Sequence, residues 1–156
     1  GGASPTRGLF CGSATPQATA QIDFVTIATT GNSADFGDLT VNRGRLGSVS
    51  SSVRTVIAGG YTPSSPNLSN TIDFVTIATT GDATDFGDLS FTASQMNNGM
   101  SNNSRGVFVV TGNPSAVNNL EFITIATTGN ANDFGDAHQA QNRATSGSDS
   151  HGGLAE

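Results

Sequence analysis

Lysine and tryptophan are absent from this 156-residue chain, and cysteine and tyrosine occur once each. The six cations are all arginines, at positions 7, 43, 45, 54, 105 and 143, and twelve acids bring the net charge to −6. Such a balance argues against a nucleic-acid surface that tracks phosphates and against binding to an anionic membrane. A single Cys11 excludes an intrachain disulfide framework and a cysteine zinc cluster. No apolar run reaches the ~18 residues that would suggest a membrane span, so the chain reads as soluble, with no membrane insertion. Charged residues make up only 12%, against about 25% in typical domains, too few to hold a chain open by repulsion. A hydrophobic share of 35% and nine phenylalanines then favour a folded chain despite twenty glycines. The length suits one core or one set of stacked repeats. An opening at Gly1, with neither Met nor a signal-like segment, is expected of a processed chain or of part of a longer one.

What is present is repetition. Ile22 to Gly31 reads IDFVTIATTG, returns unchanged at Ile72 to Gly81, and returns as LEFITIATTG at Leu120 to Gly129, spacings of 50 and 48 residues. An Asp-Phe-Gly-Asp block follows each time: Asp35, Phe36 and Asp38; Asp85, Phe86 and Asp88; Asp133, Phe134 and Asp136. Arg7, Arg54 and Arg105 each open an apolar run upstream, and His151 opens what looks like a fourth. The repeat units are therefore about 7–53, 54–104 and 105–150, within a single repeat domain over 1–156, with the start of another unit at 151–156.

The apolar period within a unit is two. Along Ile22 to Ala28, both alternating sets carry apolar, β-branched or aromatic groups, which predicts a strand covered on both faces. Arg54 to Gly60 reads as a strand ended by a glycine pair, and Thr62 to Asn70, with Pro63 and Pro66, as a loop. A third strand is expected from Asp35 or Phe36 to Val41, and a fourth in the Ser-rich stretch Leu46 to Val53. The expected fold class is all-β, with three four-stranded antiparallel units.

The sequence Ile57-Ala58-Gly59-Gly60, a variable loop, Ile72-Asp73-Phe74, then Phe86 and Leu89 resembles a kelch repeat, whose sheets are β-propeller blades. Only the first unit has an arginine, Arg43, before its last strand. The TIATTG and DFGD blocks, with Arg-Gly and His-Gly-Gly starts, resemble kelch-like repeat proteins of tailed bacteriophages, described as virion structural or tail-fibre proteins. That resemblance covers about residues 7 to 154. Propellers commonly have about 4 to 8 blades, and three units require two chains, further chain, or self-closure as a β-trefoil.

Asp-Phe-Gly also occurs in protein kinases, but here it repeats three times in a short chain with no lysine to hold phosphates. The structural expectation is that Asp35, Asp85 and Asp133 bond turn amides while Phe36, Phe86 and Phe134 fill the space between sheets. Acidic turns such as Asp82 to Asp88 could gather calcium ligands but lack the spacing of an EF-hand loop, so no cofactor is assigned. Arg7, Arg54, Arg105 and His151 could staple neighbouring units through carboxylates or ring an opening that binds an anionic sugar; we favour the staple. His138, His151 and Tyr61 are too few for a copper-radical site, and no Gly-x-Ser-x-Gly elbow exists, so no enzyme is expected. Sequons at Asn67 and Asn102 are unremarkable in so Asn- and Ser-rich a chain.

These readings lead to a non-enzymatic structural or host-attachment component of a phage particle or similar extracellular assembly. The alternative is a secreted carbohydrate-binding protein, although the loops offer little aromatic surface for a sugar beyond Tyr61. The expected core is Phe24, Ile27, Phe36, Leu39, Phe74, Ile77, Phe86, Leu89, Phe122, Ile125 and Phe134. Three units apolar on both faces leave two ends to cover, so the expected partners are other protein chains, as a homo-oligomer such as a two-chain six-blade ring or as an embedded segment.

Overall fold

A serine or asparagine three residues before each repeat arginine starts the architecture. Ser4 N, Ser51 N and Asn102 N donate to the carbonyls of Arg7, Arg54 and Arg105, and the Ser4, Ser51 and Asn102 side chains accept from the arginine amides. Each turn folds a short strand back onto the arginine strand. The computed structural model describes residues 1–97, 99–111 and 117–141. Among them lie thirteen strands and no helix.

Sheet 1 runs β1 (Gly2–Ala3), β2 (Arg7–Ser13), β3 (Thr19–Thr26) and β4 (Ala34–Arg43) in that order. Sheet 2 is β5 (Gly47–Ser50), β6 (Arg54–Ala58), β7 (Ser69–Thr76) and β8 (Thr84–Ala93). Sheet 3 is β10 (Met100–Ser101), β11 (Arg105–Thr111), β12 (Val117–Thr124) and β13 (Asn132–Gln141), with β9 (Gln95–Met96) on the far end of β11. All pairings between named strands are antiparallel. The described strands form three separate sheets, with neither the closed barrel of a trefoil nor a closed ring.

The phase of the repeat differs from the expected 7–53, 54–104 and 105–150. The Ser-rich strand at 47–50 opens sheet 2 instead of completing sheet 1, because its turn to Arg54 is only three residues long and pairing across it is local. The expected fourth start at His151 lies outside the described residues.

Each Asp-Phe-Gly is a β-bulge. Asp23 faces Asp35 and Ile22 faces Gly37, which leaves Phe36 as the extra residue; Phe86 repeats this, and Phe134 does so in β13. The bulge restores Phe36 and Leu39 to one face, where they pack with Leu9 and Ile22 against Ile57, Val75 and Ile77 of sheet 2. The opposite face of sheet 2 offers Val56, Ile72, Phe86 and Leu89 to Phe108, Val110, Ile123 and Ile125 of sheet 3. Both faces of sheet 2 are therefore covered, as its doubly apolar strands require.

Two expected core residues are on the surface. Ile27 is 56% exposed, although Ile77 and Ile125 at the same repeat position are 1% exposed; Phe134 is 49% exposed, whereas Phe36 and Phe86 are 2% and 3%. The reason is position. Ile27 points out of sheet 1 away from sheet 2, and Phe134 points out of sheet 3, so neither has a sheet in front of it among the described residues. Phe24, Phe74 and Phe122 are half-buried beneath arginines.

Candidate functional site

The repeated motifs converge on the contacts between sheets, where one set of bonds is made twice. Gly81 N donates to Phe36 O at 2.7 Å and Ala83 N to Asp38 O at 2.7 Å, while Asp38 N donates to Asp82 Oδ1 at 3.0 Å. One repeat later Gly129 N donates to Phe86 O at 2.7 Å and Ala131 N to Asp88 O at 2.9 Å, while Asp88 N donates to Asn130 Oδ1 at 3.0 Å. The TTG loop of one sheet is thus pinned to the bulge of the sheet before it.

Close approach explains the bulge glycine. A Cβ on Gly37 would strike the Gly81 carbonyl, and one on Gly87 would strike that of Gly129, with φ at +144° and +146°. Gly135 has φ +128° but no atom of the described residues within 4 Å of such a Cβ. Gly135→Ala should therefore cost about 1–3 kcal/mol from backbone strain, and Gly87→Ala about 1–3 kcal/mol more from the collision. Urea unfolding of both variants compares them, and equal losses would reject the contact.

The arginines staple sheets, but through carbonyls and not the expected carboxylates. Arg7 Nη1 donates to Ile77 O at 2.9 Å, and Arg54 Nη1 to Ala126 O at 2.8 Å and Ile125 O at 3.3 Å. Each guanidinium also lies over a phenylalanine of its own sheet: Arg7 on Phe24 at 4.7 Å, Arg54 on Phe74 at 4.5 Å and Arg105 on Phe122 at 4.6 Å. Arg105 has no following sheet among the described residues and is exposed. His151, the fourth member of the expected set, lies outside the described residues.

A second link between sheets starts from the acid in the middle of β7. Asp73 is fully buried and reaches across to sheet 1, where its carboxylate accepts from Thr40 N at 3.2 Å, Thr40 Oγ1 at 2.7 Å and Arg43 Nη2 at 2.5 Å. Arg43, itself 0% exposed, also donates through Nη1 to Thr71 O at 2.6 Å and Gly59 O at 3.0 Å, while its Nε has no partner among the described residues. Burial pulls the guanidinium below its ordinary pKa, and the Asp73 carboxylate opposes that shift. In the next repeat Glu121 accepts from Ser90 N at 3.0 Å and Ser90 Oγ at 2.5 Å. Here a buried alanine, Ala93, replaces Arg43, and the longer glutamate reaches both donors with no cation paired to it among the described residues. The available signal was an acid in the middle of a strand apolar on both faces.

The other sequence candidates are less engaged. Asp133 Oδ1 accepts from Gly135 N at 3.1 Å, a turn bond of the expected kind, whereas Asp35 and Asp85 are exposed and have no such bond among the described residues. Asp38, Asp88 and Asp136 present exposed side chains, and the first two contribute backbone groups to the sheet contact. Among the described residues, no three of His, Cys, Asp and Glu gather where they could hold a metal ion. Tyr61 lies under Arg45, whose guanidinium is 5.4 Å from the ring centre. Burial pushes the Cys11 thiol upward, so little of it is thiolate at neutral pH. A hollow of about 280 Å³ beside Thr127, Asn130 and Asn132 has only buried Phe86 as an aromatic wall.

No protein-family model matches this chain, and a search of curated proteins finds no match. The site is a sheet-to-sheet coupling made twice among the described residues, between sheets 1 and 2 and between sheets 2 and 3.

Proposed function

We propose that the chain is a non-enzymatic structural or host-attachment component of a tailed-phage particle or similar extracellular assembly, located on the virion or outside the cell, and that its three sheets are kelch-like propeller blades. The observation that carries this reading is where the repeated residues go: the arginine, the Asp-Phe-Gly-Asp bulge, the TTG loop and the mid-strand acid are devoted to joining one sheet to the next. Groups shared between copies serve assembly, and the loops that vary, such as 62–70, remain for surface roles.

The test is immunogold electron microscopy of purified particles of a phage whose genome encodes the chain, together with a glycan array probed with the isolated protein. We expect label on intact particles. Unlabelled particles combined with saccharide binding by the isolated chain would overturn this reading in favour of a carbohydrate-binding protein.

A further inference from the structure

The two ends of the stack carry the two halves of the internal contact. On sheet 1 the outward face holds Ile27, at the position of buried Ile77 and Ile125, and Phe10, which is 60% exposed where Ile57 and Phe108 are both 0%. Its TTG loop has Gly31 N and Ser33 N where Gly81 N and Ala83 N donate to the preceding sheet, and these amides have no partner among the described residues. Asp23, at the position of Asp73 and Glu121, is only half-buried and accepts from Gln21 Nε2 of its own strand at 2.9 Å.

Sheet 3 presents the complement along β12 and β13. Phe134 is exposed at the position of Phe36 and Phe86, and no described residue stands in front of Gly135 where Gly37 and Gly87 meet the next loop. Arg105 is exposed at the position from which Arg7 and Arg54 reach the next sheet's carbonyls. Nearer the first strands, Val107 and Val109 are already buried, so the open part of this face is its outer half.

We infer that copies of this chain associate head to tail, the β12–β13 face of one seating on the β3–β4 face of the next and repeating the contact made twice within the chain. Within the chain, sheet 1 meets sheet 2 and sheet 2 meets sheet 3 through equivalent groups, so the occupant of each open face is specified: a sheet of the same repeat, supplied by a second copy. Arg105 then donates to the carbonyl of the partner's Ile27, and Phe134 fills the space in front of the partner's TTG loop. The contact joins two different surfaces, so it closes into a ring or extends into a fibre according to its rotation. It rests on the reading of the chain as an assembly component.

Complementary variants test this directly. Ile27→Asp spoils one face and Phe134→Asp the other, and both residues are exposed, so both variants should fold with the parent's circular-dichroism spectrum. In sedimentation velocity the parent should associate, each variant alone should run as a monomer at the same concentration, and an equimolar mixture should recover a two-chain species and nothing larger. A monomeric parent, self-association of either variant, or a mixture that remains monomeric would overturn the head-to-tail contact. A monomeric parent whose antibody still labels particles rejects this contact and leaves the functional reading in place. An associated parent with unlabelled particles does the reverse.

Discussion

Asp73→Ala should lower the free energy of unfolding by about 3–5 kcal/mol, because it leaves the buried Arg43 guanidinium without its counter-charge. Thr40 would also lose the acceptor for both its amide and its hydroxyl, so sheets 1 and 2 would part along the outer strand. The comparison that gives the number meaning is Asp23→Ala. It removes an acid from the same repeat position, but Asp23 is half-buried and bonded only to Gln21 among the described residues, so its loss should stay within about 0.5 kcal/mol. Chemical denaturation of the two variants, at a concentration where the chain is a monomer, measures both. Similar losses at the two positions would show that Asp73 does not tie the sheets together.

Phe86→Ala should cost about 3–5 kcal/mol, the usual loss for a phenylalanine truncated in a packed core. Phe86 lies between sheets 2 and 3 and meets Phe74 edge-on, with ring centres 6.0 Å apart. Phe134 makes the same edge-on contact with Phe122, at 6.1 Å, yet about half of it remains in solvent. Its truncation should therefore cost under about 1.5 kcal/mol in the monomer, roughly the worth of the ring pair alone. Thermal unfolding of the two variants at low protein concentration separates them. A Phe134→Ala loss as large as that of Phe86→Ala would mean that the third sheet is covered in the monomer.

Much of the architecture was legible because its signals are local. Alternation with both faces apolar marked β3, β7 and β12 as strands, although among the described residues only β7 is covered on both faces, and the DFGD block marked β4, β8 and β13. The three-residue turns at Ser4, Ser51 and Asn102 were equally local but lay in Ser- and Asn-rich sequence, where one hydrogen-bonding side chain does not stand out. As a result the Ser-rich strand reads as part of the sheet before it, whereas its hairpin joins it to the sheet after. The arginines read as staples, and Arg7 and Arg54 do join sheets, but which acceptor they meet depends on a neighbour about 70 residues away.

Strand content and the antiparallel pairing of the arginine, Ile-Asp-Phe and DFGD strands follow from local propensity, side-chain period and repetition, all of which act over a few residues. Burial at the repeat positions does not. Ile27 and Ile77 sit in the same ten-residue sequence, as do Phe86 and Phe134 in the same DFGD block, and nothing in either segment distinguishes the exposed member from the buried one. Their difference arises from whether another sheet lies in front of them, and so does the contrast between half-buried Asp23 and fully buried Asp73. Apolar burial and desolvation are set by what occupies the neighbouring volume, which depends on how the sheets are stacked and on which of them stands at an end.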